Sequence, residues 1–141
     1  MFTLRILCHG TLKEAYLRDA CAEYIKRLGA YCRVEVLEAK DDRALLSYIK
    51  NRETTCALCI EGEELSSEDF ARSLLKLTDS GAQSLSFVIG GSDGLPETTK
   101  AACARRISFS RMTFPHQLMR VILLEQLYRA MNINHNGKYH K

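Results

Sequence analysis

Short apolar segments alternate with helical periodicities along the whole chain, and that alternation restricts the fold more than any other feature. Strand character is found at Phe2 to Cys8, Cys32 to Leu37, Thr55 to Ile60, Leu85 to Ile89 and Arg106 to Ser110. Between them, apolar residues recur at helical spacing. The first such run covers Lys13 to Leu28 and stops at Gly29. A short one follows a cap at Asp41-Asp42 and carries Ala44, Leu45, Tyr48 and Ile49. A third starts at Ser66-Ser67-Glu68-Asp69, continues through Phe70, Leu74 and Leu77, and ends at Gly81. Pro96 to Ala104 predicts a short helix and His116 to about Ile133 a long one. A helix between two strands returns the chain to the end of the sheet where it started, so the strands pair in parallel. The pattern predicts an α/β fold, a mostly parallel sheet with helices on both faces, built as one domain over 1–141.

Ligands of such sheets bind beyond the carboxyl ends of the strands. Three segments leave strands at that edge: Ile60-Glu61-Gly62, Gly90-Gly91-Ser92 and Ser110-Arg111-Met112-Thr113. The middle one carries three glycines within five positions, Gly90, Gly91 and Gly94, where a ligand could approach the backbone without meeting a Cβ. Pro96 and Glu97 then suit the first turn of a helix. Two readings stand here, a tight turn or the edge of a cofactor pocket. The spacing G-G-x-x-G is not the dinucleotide fingerprint, and no Gly-Lys-Ser/Thr follows to make a phosphate-binding loop.

Composition narrows the classes. No apolar run is long enough to span a membrane, and the first eight residues read as a strand rather than an export signal. Six cysteines in mostly apolar segments therefore suggest reduced thiols in a cytoplasm. Cys56-Ala57-Leu58-Cys59 has metal-ligand spacing, but without a second pair it reads as buried small hydrophobes, and no metal is expected. The net charge of +3 is uneven: from Thr98 onward eight basic residues face one acid, Glu125, which makes that third +7 and the remainder −4. Such a third suits a polyanion, RNA or DNA, or else a solvated face. The last helix, with Leu118, Met119, Val121, Ile122, Leu123, Leu124, Leu127, Tyr128, Ala130 and Met131, has little polar face. It needs cover on more than one side, from elsewhere in the chain or, the favoured reading, from a second copy.

Read together, several blocks resemble one family. Gly90-Gly91-Ser92-Asp93-Gly94-Leu95, Phe109-Ser110-Arg111-Met112-Thr113-Phe114-Pro115-His116, Arg120, Leu124-Glu125-Gln126-Leu127-Tyr128-Arg129-Ala130 and the terminal Tyr139-His140-Lys141 are similar, in that order, to the bacterial large-subunit ribosomal RNA methyltransferase H family of the SPOUT superfamily. The resemblance implies a C-terminal part threaded into a deep trefoil knot, an exception among chains. It implies a homodimer that binds S-adenosylmethionine and methylates N3 of a pseudouridine in helix 69 of 23S rRNA, on the assembled 70S ribosome. By position, the cofactor side comprises Leu58, Gly90 and the loop Phe109, Ser110, Arg111, Met112, Thr113 and Phe114. His116, Arg129, Tyr139 and His140 match the substrate side. Lys138 stands where many members have proline or a small residue, which suggests a less rigid tail.

Methyl transfer to an imide nitrogen needs a base for the N3 proton. His116 and His140 are the candidates, with His140 favoured because the tail can close over RNA. Tyr139 could stack on a flipped base, and Arg129 and Lys141 could hold phosphate or a developing anion. Structural alternatives are a helix cap for His116 and an ion pair with Glu125 for Arg129. Rival functions are a basic rRNA-binding module without transfer chemistry and a nucleotide binder using the glycine loop alone.

Overall fold

A computed structural model describes residues 1–141. Five strands, β1 (Thr3–His9), β2 (Arg33–Ala39), β3 (Thr55–Glu64), β4 (Ser84–Ile89) and β5 (Arg105–Ser108), form one sheet in the order β2-β1-β4-β3-β5. Every pairing is parallel. The helices are α1 (Ala15–Leu28), α2 (Asp42–Ser47), α3 (Ser67–Asp79), α4 (Glu97–Ala101) and α5 (His116–Asn134). Two polar caps start helices where the sequence places them: Asp41 accepts the Ala44 N–H at 2.8 Å and Ser66 accepts the Asp69 N–H at 3.0 Å.

The period of two along each strand divides the core. Leu4, Ile6, Leu85, Phe87, Ile89, Cys56 and Ile107 point to the face covered by α1, α3 and α5. Leu7, Val88 and Ala57 point to the other, where Leu45 of α2, Leu95 and Cys103 pack. β1 and β4 are therefore buried on both faces toward their carboxyl ends, which explains the continuous apolar stretches Ile6-Leu7-Cys8 and Phe87-Val88-Ile89.

The uniformly apolar α5 finds much of its cover inside the chain. It lies between α1 and α3 and over the sheet, with Leu123, Leu124 and Leu127 fully buried. Each such leucine contributes about 1.5–3 kcal/mol. Leu118 stays 39% exposed, with Met119, Val121 and Ile122 half-buried along the same helix.

Several boundaries differ from the periodicity, among them β2, which runs on to Ala39, and α4, which stops at Ala101; two others bear on the site. β5 ends at Ser108, so Phe109 and Ser110 belong to the following loop. β3 continues past Ile60 to Glu64, with a register shift in which both Leu58 and Glu63 partner Ile107. Residues 59–62 bulge around the end of β5. Gly62 there lies so close that an added Cβ would fall 2.6 Å from the Ile107 carbonyl carbon. The apolar pattern stops at Ile60, so a strand of glutamates held by its neighbour carries no periodicity to read.

Candidate active site

The three strand exits converge. A cleft of about 680 Å³ opens at the carboxyl edge of the sheet, bounded by Leu58 to Glu61, by Ile89 to Leu95, and by the loop from Ser108 into α5. Its volume lies in the range of small-molecule pockets. Leu58, Gly90, Phe109, Ser110, Met112, Thr113 and Phe114 line it. Arg111 does not: its side chain is 86% exposed and points to Glu64 at 3.7 Å.

The glycine loop is tight as well as permissive. Gly94 has φ +77 and donates its N–H to the Gly91 carbonyl at 2.9 Å. That turn folds the chain back on Gly90, where a Cβ would lie 2.6 Å from the Gly94 carbonyl carbon. From Phe109 to Phe114 no backbone N–H donates to a backbone carbonyl. The Met112 N–H is held by the Ser110 hydroxyl at 2.9 Å. Peptide groups with no secondary-structure partner beside apolar Leu58, Leu95, Phe114 and Met119 suit a ligand with a polar-edged aromatic base and an apolar arm.

His116, in the first turn of α5, is on the cleft wall. It does not cap the helix: Pro115 holds the cap position and no side chain bonds there. Burial pushes the imidazole below its ordinary pKa of 6.5, and electrostatic interactions with His9, Arg120 and Lys13 act in the same direction. A neutral imidazole beside a cleft can accept a proton. One turn on, Arg120 is buried; it donates to Glu38 at 2.6 Å and to the Gly10 carbonyl at 3.2 Å, locking the start of α5 to the ends of β2 and β1.

Arg129, Tyr139 and His140 form a second cluster that does not line this cleft. Arg129 lies thirteen positions beyond His116 on α5, about 20 Å at 1.5 Å per residue. Arg129 pairs with Glu125 at 2.7 Å, four residues earlier, and also contacts His140 Nδ1 at 2.9 Å. Tyr139 donates its hydroxyl to Glu125 at 2.7 Å, lies under the Arg129 guanidinium at 4.9 Å and packs edge-on against Tyr128. Burial, then the bond to Glu125, push its phenol pKa up. His140 Nε2 lies 3.4 Å from Glu68 of α3. Tyr139 and His140 are thus each placed by side-chain contacts with α5 and α3.

The basic third is also largely paired. Lys100 bonds Glu61, Arg105 bonds Glu63, Arg106 bonds Glu97, Arg120 bonds Glu38 and Arg129 bonds Glu125. Residues the sequence did not single out for the site include Lys100, Cys59 and Met119, which line the cleft, and His9, whose ring lies where a Gly91 Cβ would go. Lys100 carried no motif, and only the return of the chain to β3 brings it beside Glu61. No cluster of three or more His, Cys, Asp or Glu side chains is placed to hold a metal ion, and no helix is long and apolar enough to cross a membrane.

A parallel sheet with one cleft built from three such exits places the chain among the SPOUT methyltransferases: the family model described as "Predicted SPOUT methyltransferase" matches residues 2–140. Two solved structures share the fold. A probable methylase family protein from Haemophilus influenzae Rd KW20 aligns with TM-score 0.64 at 10% identity, over 98% of this chain and 70% of that one. A putative methylase family protein from Neisseria gonorrhoeae aligns with TM-score 0.60 at 12% identity, over 91% of this chain and 82% of that one. Sequence relatives are nearer. The ribosomal RNA large subunit methyltransferase H of Limosilactobacillus reuteri is 43% identical over 98% of this chain and 99% of its own length, and that of Bacillus thuringiensis matches to the same extent. The chain belongs to the ribosomal RNA large subunit methyltransferase H family within the SPOUT methyltransferases.

Proposed function

We propose that this protein transfers the methyl group of S-adenosylmethionine to N3 of a pseudouridine in helix 69 of 23S rRNA, on the assembled 70S ribosome in the cytoplasm. The observation that carries the reading is the convergence of the β3, β4 and β5 exits on one cleft with a buried-side histidine on its wall. The full-length identity to large-subunit rRNA methyltransferases supports the choice of substrate.

S-adenosylmethionine, when bound, supplies an activated methyl on a sulfonium. Leu58 and Phe114 would cover its base, and the peptide groups of Gly90 and of Phe109 to Thr113 would hold its polar edges. Arg111 would take part through its backbone, since its side chain turns to Glu64. His116 accepts the N3 proton, so that the imide nitrogen attacks as an anion. Arg129 steadies that anion, Tyr139 stacks on or bonds the base, and His140 orients Arg129.

Arg129 lies about 20 Å along α5 from His116, and Tyr139 and His140 pack against it, so the three would serve the cleft of a second copy. The homodimer would use the strip of α5 that its own chain leaves open, Leu118 with Met119, Val121 and Ile122. The C-terminal chain would be threaded as a deep trefoil knot. The match of the SPOUT family model over residues 2–140 supports that path.

The test is mass spectrometry of rRNA from ribosomes incubated with purified protein and S-adenosylmethionine. One added methyl on the helix 69 pseudouridine is expected. Ribosome binding with no added methyl would replace this reading with a binding module.

A further inference from the structure

Asn132 is an unusual residue for its position. It sits in the last turns of α5, is 8% exposed, and buries a primary amide in a cluster of aromatic rings. Buried amides need partners, and this one has them on both ends. Its Oδ1 accepts the Tyr139 N–H at 3.0 Å. Its Nδ2 donates to the Tyr31 hydroxyl at 3.1 Å, and Tyr31 belongs to the connection between α1 and β2. Its own carbonyl accepts the Gly137 N–H at 2.8 Å.

The local backbone is arranged around that amide. Asn136 takes φ 59, a left-handed conformation that asparagine tolerates, and turns the chain back along α5. Gly137 then passes directly over the Asn132 amide, where a Cβ would overlap its side-chain atoms. The reversed segment delivers Tyr139 onto Tyr128 and Arg129, and His140 between Arg129 and Glu68. None of the groups in that cluster reaches back to hold the tail backbone. The Asn132 side chain alone grips the Tyr139 peptide.

We infer that Asn132 is a positioning residue: through its amide it sets the placement of Tyr139 and His140 for the transfer reaction, in the role that a stiffer residue at 138 could otherwise fill. The inference rests on the reading of Tyr139 and His140 as substrate-side groups. Asn132 touches neither cofactor nor substrate. Its effect therefore falls on turnover and not on the affinity for S-adenosylmethionine.

The experiment compares Asn132→Leu, which keeps the shape and removes both bonds, with Asn132→Asp, which keeps an acceptor for Tyr139 and for the Tyr31 hydroxyl. Single-turnover methylation of ribosomes, calorimetry with S-adenosylmethionine and hydrogen exchange at the Tyr139 amide are measured on each full-length protein. Expected for Asn132→Leu are a rate lower by about 10- to 100-fold, the size of loss that misplacement produces, unchanged cofactor affinity, and loss of protection at Tyr139. Asn132→Asp should restore most of the rate. Gly137→Ala, which pushes the tail off the same amide from outside the helix, should show the same split and serves if Asn132→Leu fails to fold. A wild-type rate in a variant that has lost Tyr139 protection overturns the inference alone, as does an Asp variant no better than the Leu variant. Absence of transfer by the unmodified protein overturns both the inference and the function it rests on.

Discussion

Gly90→Ala tests the cleft at its narrowest point. The new Cβ would lie 2.6 Å from the Gly94 carbonyl carbon, 2.8 Å from its oxygen and 2.9 Å from the Leu95 nitrogen. Ordinary contact begins near 3.4 Å, so something must move by about 0.8 Å. All three obstacles are backbone, so no side chain can swing aside. On one side β4 is pinned by its parallel partner β1; on the other the Gly91–Gly94 turn is held by a single hydrogen bond. The turn is the softer side and should yield toward the cleft. Overpacking of this kind costs about 1–3 kcal/mol. At 1.4 kcal/mol per tenfold, S-adenosylmethionine should bind about 5- to 150-fold more weakly. Calorimetric titration measures this, with thermal unfolding run in parallel. Gly81→Ala is the control: it has φ +94 and open space around the missing Cβ, far from the cleft at the end of α3. It should lower stability by about 1–2 kcal/mol through backbone strain alone and leave binding unchanged. Wild-type affinity and wild-type melting in Gly90→Ala would refute the tight turn and, with it, this wall of the pocket.

Other outcomes follow from the same geometry. If His116 accepts the proton, the rate should fall as pH drops through a value below 6.5, since burial favours its neutral form; His116→Gln should be slow with no such acid limb in the pH–rate profile. The same depression means the unfolded chain takes up that proton more readily, so folding stability in urea should weaken as pH falls below 6.5. Removing Glu38 by Glu38→Ala leaves the buried Arg120 with only the Gly10 carbonyl. Because Glu38 is 38% exposed, the expected loss in a urea titration is about 2 kcal/mol, below the 3–5 typical of a fully buried pair. Leu118→Glu puts a charge in the open strip of α5. Light scattering should report a monomer, with methyl transfer lost and cofactor affinity kept; a dimer of unchanged activity would place the second copy elsewhere.

Much of the architecture could be read in advance, for identifiable reasons. Strands β1 and β4 announced themselves because burial on both faces leaves continuous apolar stretches, Ile6-Leu7-Cys8 and Phe87-Val88-Ile89. Asp41 and Ser66 marked helix starts because capping is a local bond between near neighbours. The three strand exits were legible as a group because parallel connectivity sends them all to one edge. Elsewhere local pattern carried no signal. The extension of β3 through Glu61 to Glu64 depends on β5 lying beside it, forty residues later. The basic C-terminal third looked like an uncovered cationic surface; folding pairs most of it with glutamates of β2, β3 and α4. Charge along a chain counts residues, whereas the field at a surface depends on which charges become neighbours.

The site divides in the same way. Residue types and their order are enough to define the sheet, its binding edge, the glycine turn and the family, since each rests on spacings of a few residues or on motifs that persist as letters. Whether His116 and Arg129 could share one pocket was a question of distance, answered by the continuous run of α5 that carries both, with His116 in its first turn and Arg129 thirteen positions on. The tail itself reads as eight loose polar residues, yet Asn132 and Glu125 of α5, Tyr31 before β2 and Glu68 of α3 come from three separate parts of the chain to hold it. Those contacts span up to 101 positions of sequence, and only the packing of α1, α3 and α5 on one face of the sheet brings them within hydrogen-bond reach.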